Sequence, residues 1–86
     1  MRSLRISFGL RLKSIRTSRS LTQEQFAEVI GVSVDFLSLI ERGISAPSFE
    51  RIEQIARRLD TSVASLFTFA PPAPRDAGGA GKRRVK

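Results

Sequence analysis

The sequence of 86 residues predicts an all-α fold with a single small domain. Apolar residues recur at the three- and four-residue spacing of one helix face in four successive segments, and a short fifth segment follows. Glycine, proline or a capping residue separates each segment from the next. No segment shows sustained alternation of polar and apolar residues, so we predict no sheet.

The first helix is predicted over about residues 6–18. Phe8, Leu12 and Ile15 stand at positions i, i+4 and i+7 and form one apolar stripe, which we expect to lie in the core. Leu10 falls off this stripe, so we expect it to be exposed to solvent.

The second helix begins after Thr22, because Thr22 and Gln25 have the spacing of a capping box. Phe26 and Ile30 belong to its apolar surface. We expect Gly31 to end the helix, since glycine adopts the left-handed backbone conformation without a steric penalty from a Cβ atom.

Ser33 is the predicted N-cap of the third helix, which continues to residue 42 and ends at Gly43. The fourth helix is predicted over 49–59, and Ser62 caps a final turn or two. The apolar stripe of the fourth helix, which we expect to be buried, comprises Phe49, Ile52, Ile55, Ala56 and Leu59.

The composition changes after residue 70. A proline-rich stretch is followed by glycines and then by a run of Lys and Arg, and almost nothing apolar remains to be buried. We therefore predict a folded domain over 1–70 and a disordered basic tail over 71–86.

Composition excludes several classes of function. The chain has no Cys and no His, so it lacks the commonest metal ligands and the commonest general base. We expect no metal, no cofactor and no catalytic site, and an enzyme ranks third among the function classes. No apolar run approaches the roughly 18 residues of a membrane span. We expect the protein to be cytoplasmic.

The charge is strongly positive and unevenly distributed. The formal net charge is +7, and the first 19 residues carry basic side chains but no acidic one. A basic protein without catalytic residues favours a polyanionic partner, most often nucleic acid.

The strongest motif spans residues 21–43. Counted from Gln23, the small residue Ala27 falls at the fifth position and Gly31 at the ninth. This is the pattern of a helix-turn-helix, in which a side chain larger than alanine at position 27 would push the second helix away. Apolar residues that would lock the two helices onto the rest of the domain are Phe26, Leu37 and Ile40.

The ordered run of motifs over about residues 6–67 resembles the phage repressor/Cro-like helix-turn-helix regulators, which are five-helix DNA-binding domains of bacteria and phages. The residues that carry the resemblance include Phe8-Gly9, Ile15-Arg16, Leu21-Thr22-Gln23-Glu24, Phe26-Ala27, Gly31-Val32-Ser33, Ile40-Glu41-Arg42-Gly43 and Leu66-Phe67. Small members of this family include restriction-modification controller proteins, antitoxin-type autoregulators and Cro-like proteins.

The resemblance implies a recognition helix over 33–42 with its N-terminal end in the major groove of double-stranded DNA. The residues implied to face the bases are Ser33, Val34, Asp35, Ser38 and Leu39. The expected phosphate contacts are Thr22, Gln23, Arg42 and Ser45, together with Arg19 from the basic segment. For Gln23 the choice is between a capping role and a phosphate contact, and phosphate is favoured.

The resemblance also implies a salt bridge between Arg16 and Glu41 that ties the first helix to the end of the third. We expect this pair to be structural and partly exposed, and therefore to contribute only about 0–1 kcal/mol.

The sequence departs from many relatives at two base-facing positions. Val34 and Leu39 are apolar where relatives often carry a basic or amide side chain, and Asp35 adds a negative charge beside them. An acid can accept from cytosine N4 and an aliphatic group can touch a thymine methyl. The same residues would also suit a protein partner.

The sequence therefore predicts a DNA-binding transcriptional regulator that acts as a homodimer on the bacterial or phage nucleoid. The alternative is a protein-interaction adaptor that uses the same fold without specific DNA readout. The predicted dimer interface comprises Val63, Leu66, Phe67 and Phe69, although Val63 and Leu66 could equally pack in the chain's own core.

Overall fold

The computed structural model describes residues 3–69, which form five α-helices and no strand. The helices are α1 (Leu4–Ser18), α2 (Gln23–Ile30), α3 (Val34–Glu41), α4 (Phe49–Arg58) and α5 (Val63–Leu66). The predicted all-α fold with five helices is confirmed. The predicted tail over 71–86 lies outside the described residues.

Every helix begins at a serine or threonine whose hydroxyl accepts a backbone N–H from the first turn. The five N-caps are Ser3, Thr22, Ser33, Ser48 and Ser62. Each of these bonds satisfies a donor that has no partner inside the helix and contributes on the order of 1 kcal/mol. The predicted capping box is present, because the Gln25 side chain also accepts the N–H of Thr22 at 2.9 Å.

The turn between α2 and α3 depends on Gly31. Its φ is +81°, in the left-handed region, and its N–H donates to the carbonyl of Ala27 at 2.8 Å. The next residue, Val32, donates to the same carbonyl at 3.0 Å. The turn between α2 and α3 therefore takes only three residues, 31–33, as the sequence predicts.

The core is formed by residues from all five helices. The buried apolar side chains are Phe8, Leu12, Phe26, Ala27, Ile30, Leu37, Ile40, Ile52, Ile55, Ala56, Leu59 and Leu66. The expectation that Leu10 is exposed is confirmed.

The expectation that Phe49 is buried is wrong, since 84% of its surface is exposed. Its spacing from Ile52 places it on the apolar side of α4, but it is the first residue of that helix. Ile52, one turn further on, is buried. Helical periodicity gives the side of a helix that faces inwards, but it does not show how far the neighbouring elements extend along it.

Helices α1 and α3 approach each other closely at Gly9. A Cβ atom at this buried position would collide with the carbonyl oxygen of Ile40 and would lie 3.1 Å from that of Glu41. Glycine is required here because the backbone of α3 occupies the space that a side chain would need.

The predicted pair between Arg16 and Glu41 is present beside this contact. Arg16 Nε lies 2.7 Å from Glu41 Oε2, and Nη2 lies 3.1 Å from Oε1. The Glu41 side chain is 3% exposed, so the pair is more buried than we expected from the sequence. The hydrogen bond to Glu41 raises the pKa of Arg16, so the guanidinium remains charged.

We expect Gly9→Ala to lower the melting temperature. Alanine favours an exposed helix over glycine by about 1 kcal/mol, but here the new methyl group must displace the α3 backbone. Thermal unfolding followed by circular dichroism measures the change. The control is Ser14→Ala, at an exposed position of α1, which should not lower the melting temperature. A Gly9→Ala protein that melts above the wild type would contradict the close approach.

We expect Arg16→Ala to lower the free energy of unfolding by roughly 3 kcal/mol, because it leaves a buried carboxylate without its cation. Urea denaturation measures this loss. The control is Arg57→Ala, which removes the same charge from an exposed position of α4 and should change stability by less than about 0.5 kcal/mol. Equal losses in the two variants would mean that the pair contributes no more than surface charge does.

Candidate nucleic-acid interface

Helix α3 presents one side to solvent and the other to the core. Leu37 and Ile40 are fully buried, whereas Ser33, Val34 and Asp35 at its N-terminal end are exposed. The two later base-facing positions, Ser38 and Leu39, are half-buried. The structure therefore brings all five predicted base-facing residues to a single short helix whose N-terminal end is accessible.

Two of these residues also have local roles. The Ser33 hydroxyl accepts the N–H of Phe36 at 3.1 Å, which caps α3 and leaves the hydroxyl hydrogen free to donate. The Leu39 carbonyl accepts the N–H groups of Ile44 and Ser45 at 2.9 and 3.3 Å, which closes the turn after α3.

Gln23 makes a contact that sequence reasoning missed. Its Nε2 donates to Glu41 Oε1 at 3.0 Å, so its amide neither caps α2 nor is wholly free for phosphate. The predicted pair of Arg16 and Glu41 could have indicated this contact. The carboxylate of Glu41 has lone pairs left after it accepts from Arg16, so it can accept from a second donor. One amide hydrogen of Gln23 remains available.

The start of α2 still offers backbone donors. The hydroxyl and the N–H group of Thr22 are both bonded in the capping box. The N–H groups of Gln23 and Glu24, however, have no partner within residues 3–69. Such free N–H groups at the positive end of a helix attract anions. The bond between Gln23 and Glu41 holds this end of α2 against the end of α3.

Arg42 follows Glu41 and is exposed at the C-terminal end of α3. Its Nε makes a long contact of 3.4 Å with the Ser38 carbonyl, so most of its donors are free. Ser45 is half-buried in the following turn. Gln23 is bonded to the carboxylate of Glu41, and Thr22 and Arg42 are the chain neighbours of these two residues.

The structure directs Arg19 elsewhere. Its Nη2 donates to the Leu59 carbonyl at 3.2 Å, so its guanidinium lies at the end of α4 and not beside α3. The acid-free composition of the first 19 residues indicated a basic segment but not the direction of each side chain. The phosphate contact of Arg19 stays a prediction, from a guanidinium at the end of α4.

The predicted dimer interface is also corrected at one position. Leu66 has no exposed surface and belongs to the chain's own core. Val63 is 41% exposed, and Phe67 and Phe69 are half-buried. Phe67 packs against Phe8 and Phe69, with ring centroids 5.1 and 6.1 Å apart, so these rings form one continuous aromatic cluster.

Phe49 extends this cluster into a larger apolar area. It lines two hollows of about 270 and 380 Å³, and both are also lined by Ile52 and Phe67. We call this area the Phe49 surface. Its members are Leu4, Phe49, Val63, Phe67 and Phe69. Arg5 lines the first hollow and Glu53 the second.

In the part of the chain that the structure describes, no helix is long and apolar enough to cross a membrane. No group of three or more acidic residues there could hold a metal ion.

The curated proteins similar to this chain include transcriptional regulators and repressors. An uncharacterised helix-turn-helix transcriptional regulator of Bacillus subtilis, YazB, is 40% identical over 65 residues, which cover 76% of this chain and 90% of YazB. The immunity repressor of Bacillus phage phi105 is 38% identical over 61 residues, which cover 71% of this chain and 42% of the repressor. The chain thus spans less than half the length of some of its relatives.

Solved structures of regulators share the fold. The clp gene regulator ClgR of Corynebacterium glutamicum superposes with a TM-score of 0.70 at 33% identity, over 77% of this chain and 85% of that one. The restriction-modification controller protein C.AhdI of Aeromonas hydrophila superposes with a TM-score of 0.65 at 33% identity, over 71% of this chain and 88% of that one. The family profile HTH_3, helix-turn-helix, matches residues 12–66. The chain therefore belongs to this helix-turn-helix family, the phage repressor/Cro-like transcriptional regulators that its sequence resembles.

Proposed function

We propose that this protein is a sequence-specific DNA-binding transcriptional regulator that acts as a homodimer, with α3 in the major groove. The observation that carries the proposal is the position of α3. Its N-terminal end is exposed, and the start of α2, which has free backbone N–H groups, is bonded to its C-terminal end, where Arg42 follows. A helix with one accessible end and phosphate-binding groups beside the other can enter the groove while those groups hold the DNA backbone.

The base-facing residues suit particular base edges. The methyl groups of Val34 and Leu39 can contact thymine, and the carboxylate of Asp35 can accept from cytosine N4. The Ser33 and Ser38 hydroxyls can donate or accept. A bidentate contact from Arg, Asn or Gln is not available on this helix, so discrimination depends on methyl contacts and on Asp35.

Phosphate contacts supply most of the affinity in this proposal. Arg42 is exposed and has free donors, and the half-buried Ser45 follows it along the chain. The N–H groups of Gln23 and Glu24 add neutral donors at the positive end of a helix. These contacts do not depend on base sequence.

A second copy of the chain is the proposed partner for the Phe49 surface. The exposed ring of Phe49 lines two apolar hollows, so a two-fold arrangement could place each ring in a hollow of the other copy. Arg5 and Glu53, one beside each hollow, have the opposite charges that such an arrangement would bring together. A dimer would also place two recognition helices about 34 Å apart, one turn of DNA.

The alternative function is a protein-interaction adaptor. It is favoured by the apolar Val34 and Leu39 and the acidic Asp35 on the exposed side of α3, because an acid there also repels phosphate. The two functions differ in their response to salt, since binding through several phosphates weakens as salt rises.

We expect the affinity for a duplex selected from random sequences to fall linearly with salt on logarithmic axes. Arg42→Ala should weaken binding to all duplexes alike and reduce the slope by about 0.9, the loss of one phosphate contact. Fluorescence anisotropy with labelled duplexes measures both. The control is Arg57→Ala, which removes an exposed charge from α4.

Asp35→Ala tests the base-facing assignment in the same assay and should change the preferred sequence. No binding at low salt, or a response independent of salt, would favour the adaptor. A change of sequence preference in Arg42→Ala would show that Arg42 contacts bases.

We expect Phe49→Ser to weaken self-association at least about tenfold, because it removes the exposed ring at the centre of the proposed interface. Since 84% of this side chain is exposed, monomer stability should change by less than about 1 kcal/mol. Sedimentation equilibrium measures the dimer constant. Leu10→Ser removes an exposed apolar side chain outside the Phe49 surface and is the control. A dimer constant equal to that of the wild type would place the interface elsewhere.

A further inference from the structure

A polar hollow of about 300 Å³ lies between α1 and the segment that carries the end of α4 and α5. Two arginines and four hydroxyl groups line it, and its lining includes no carboxylate. The polar lining residues are Arg11, Arg19, Ser14, Ser18, Thr61 and Ser65. Ile15 and Leu59 supply its apolar part.

The hollow lies on the opposite side of α1 from α3. Gly9 contacts the backbone of α3, and Ser18, nine residues later, lines the hollow. Nine residues are about two and a half turns at 3.6 residues per turn, so the two positions point in opposite directions. The hollow is therefore separate from the proposed DNA interface. It also shares no lining residue with the two hollows beside Phe49.

Both guanidinium groups are held in place by neutral acceptors. Arg11 Nε donates to the Ser65 carbonyl at 3.0 Å, and its Nη2 donates to the Ser65 hydroxyl at 3.3 Å. Arg19 Nη2 donates to the Leu59 carbonyl at 3.2 Å. Neither arginine forms an ion pair with a residue among 3–69, so two positive charges remain uncompensated at fixed positions. Each guanidinium keeps further N–H donors.

We propose that this hollow binds a small phosphate-bearing ligand of about the size of a nucleotide. Guanidinium groups recognise phosphate through several N–H donors in a fixed geometry, and hydroxyl groups can bond the remaining oxygens. Ile15 and Leu59 offer an apolar contact for the organic part of the ligand. The volume lies at the lower end of the range for small-molecule sites. This site does not depend on the proposed DNA-binding function.

The hydrogen-bonded arginines favour a small ligand over a DNA backbone. A duplex contacts exposed, convex surfaces, whereas Arg11 and Ser65 are half-buried and line a concavity. A small ligand and a DNA backbone both present phosphate groups to arginine, so the experiment must distinguish binding of the one from binding of the other.

The test is a titration of the full chain, labelled with ¹⁵N, with pyrophosphate, ADP and adenosine in chloride buffer. We expect the amide resonances of Ser18, Thr61 and Ser65 to move saturably with pyrophosphate and with ADP but not with adenosine. Arg19→Gln should weaken ADP binding at least about tenfold, since it removes a charged donor. Lys13→Gln removes the same charge from an exposed position of α1 outside the hollow and should weaken binding less than twofold.

Three results would overturn the proposal. The first is that the amide resonances of the residues lining the hollow do not move saturably with ADP or pyrophosphate. The second is that Arg19→Gln and Lys13→Gln weaken ADP binding equally while both proteins keep the melting temperature of the wild type. The third is displacement of ADP from the hollow by a short duplex, which would make the arginines DNA contacts. Movement of α3 amides by the duplex while ADP stays bound would support two separate sites.

Discussion

The position of α3 depends on the buried contact between Arg16 and Glu41. Glu41 is the last residue of α3, where a negative charge is unfavourable because the helix dipole is already negative there. Burial at 3% exposure would make this carboxylate still less stable without a cation. Arg16 supplies the charge in bidentate geometry, and Gln23 completes the set of donors. Gly9 allows the two helices to come close enough for this network to form.

Local features of the fold could be predicted from the sequence because they depend on a few neighbouring residues. The capping box at Thr22, the cap at Ser33 and the turn at Gly31 each require one side chain or one backbone conformation within four positions. The pair of Arg16 and Glu41 lies 25 positions apart in sequence. It was implied by the resemblance to a family, since nothing in the spacing alone joins these residues.

The sequence did not predict features that only the packing of whole elements determines. Phe49 lies on the apolar side of α4, but it is exposed because it stands at the very start of that helix. Leu66 belongs to a cluster of apolar residues near the end of the domain, but it is buried while Val63, one turn earlier, is exposed. Arg19 carries the positive charge that the composition indicated, but the carbonyl of Leu59 fixes its direction. The burial of these side chains and the directions in which they point therefore could not be predicted from residue type.

The hydrogen bonds around Glu41 also affect the energetics of the proposed DNA binding. They connect the last turn of α1, the start of α2 and the end of α3 in one network, so the free N–H groups of α2 and the backbone at Arg42 keep their relative positions without DNA. Ordering such groups on binding would otherwise reduce the affinity. Such preorganisation matters more for this protein than for a domain that carries arginines on its recognition helix. In the proposed complex, Val34, Asp35 and Leu39 would discriminate between bases but add little attraction to phosphate, so preorganised contacts to the DNA backbone would have to supply the affinity.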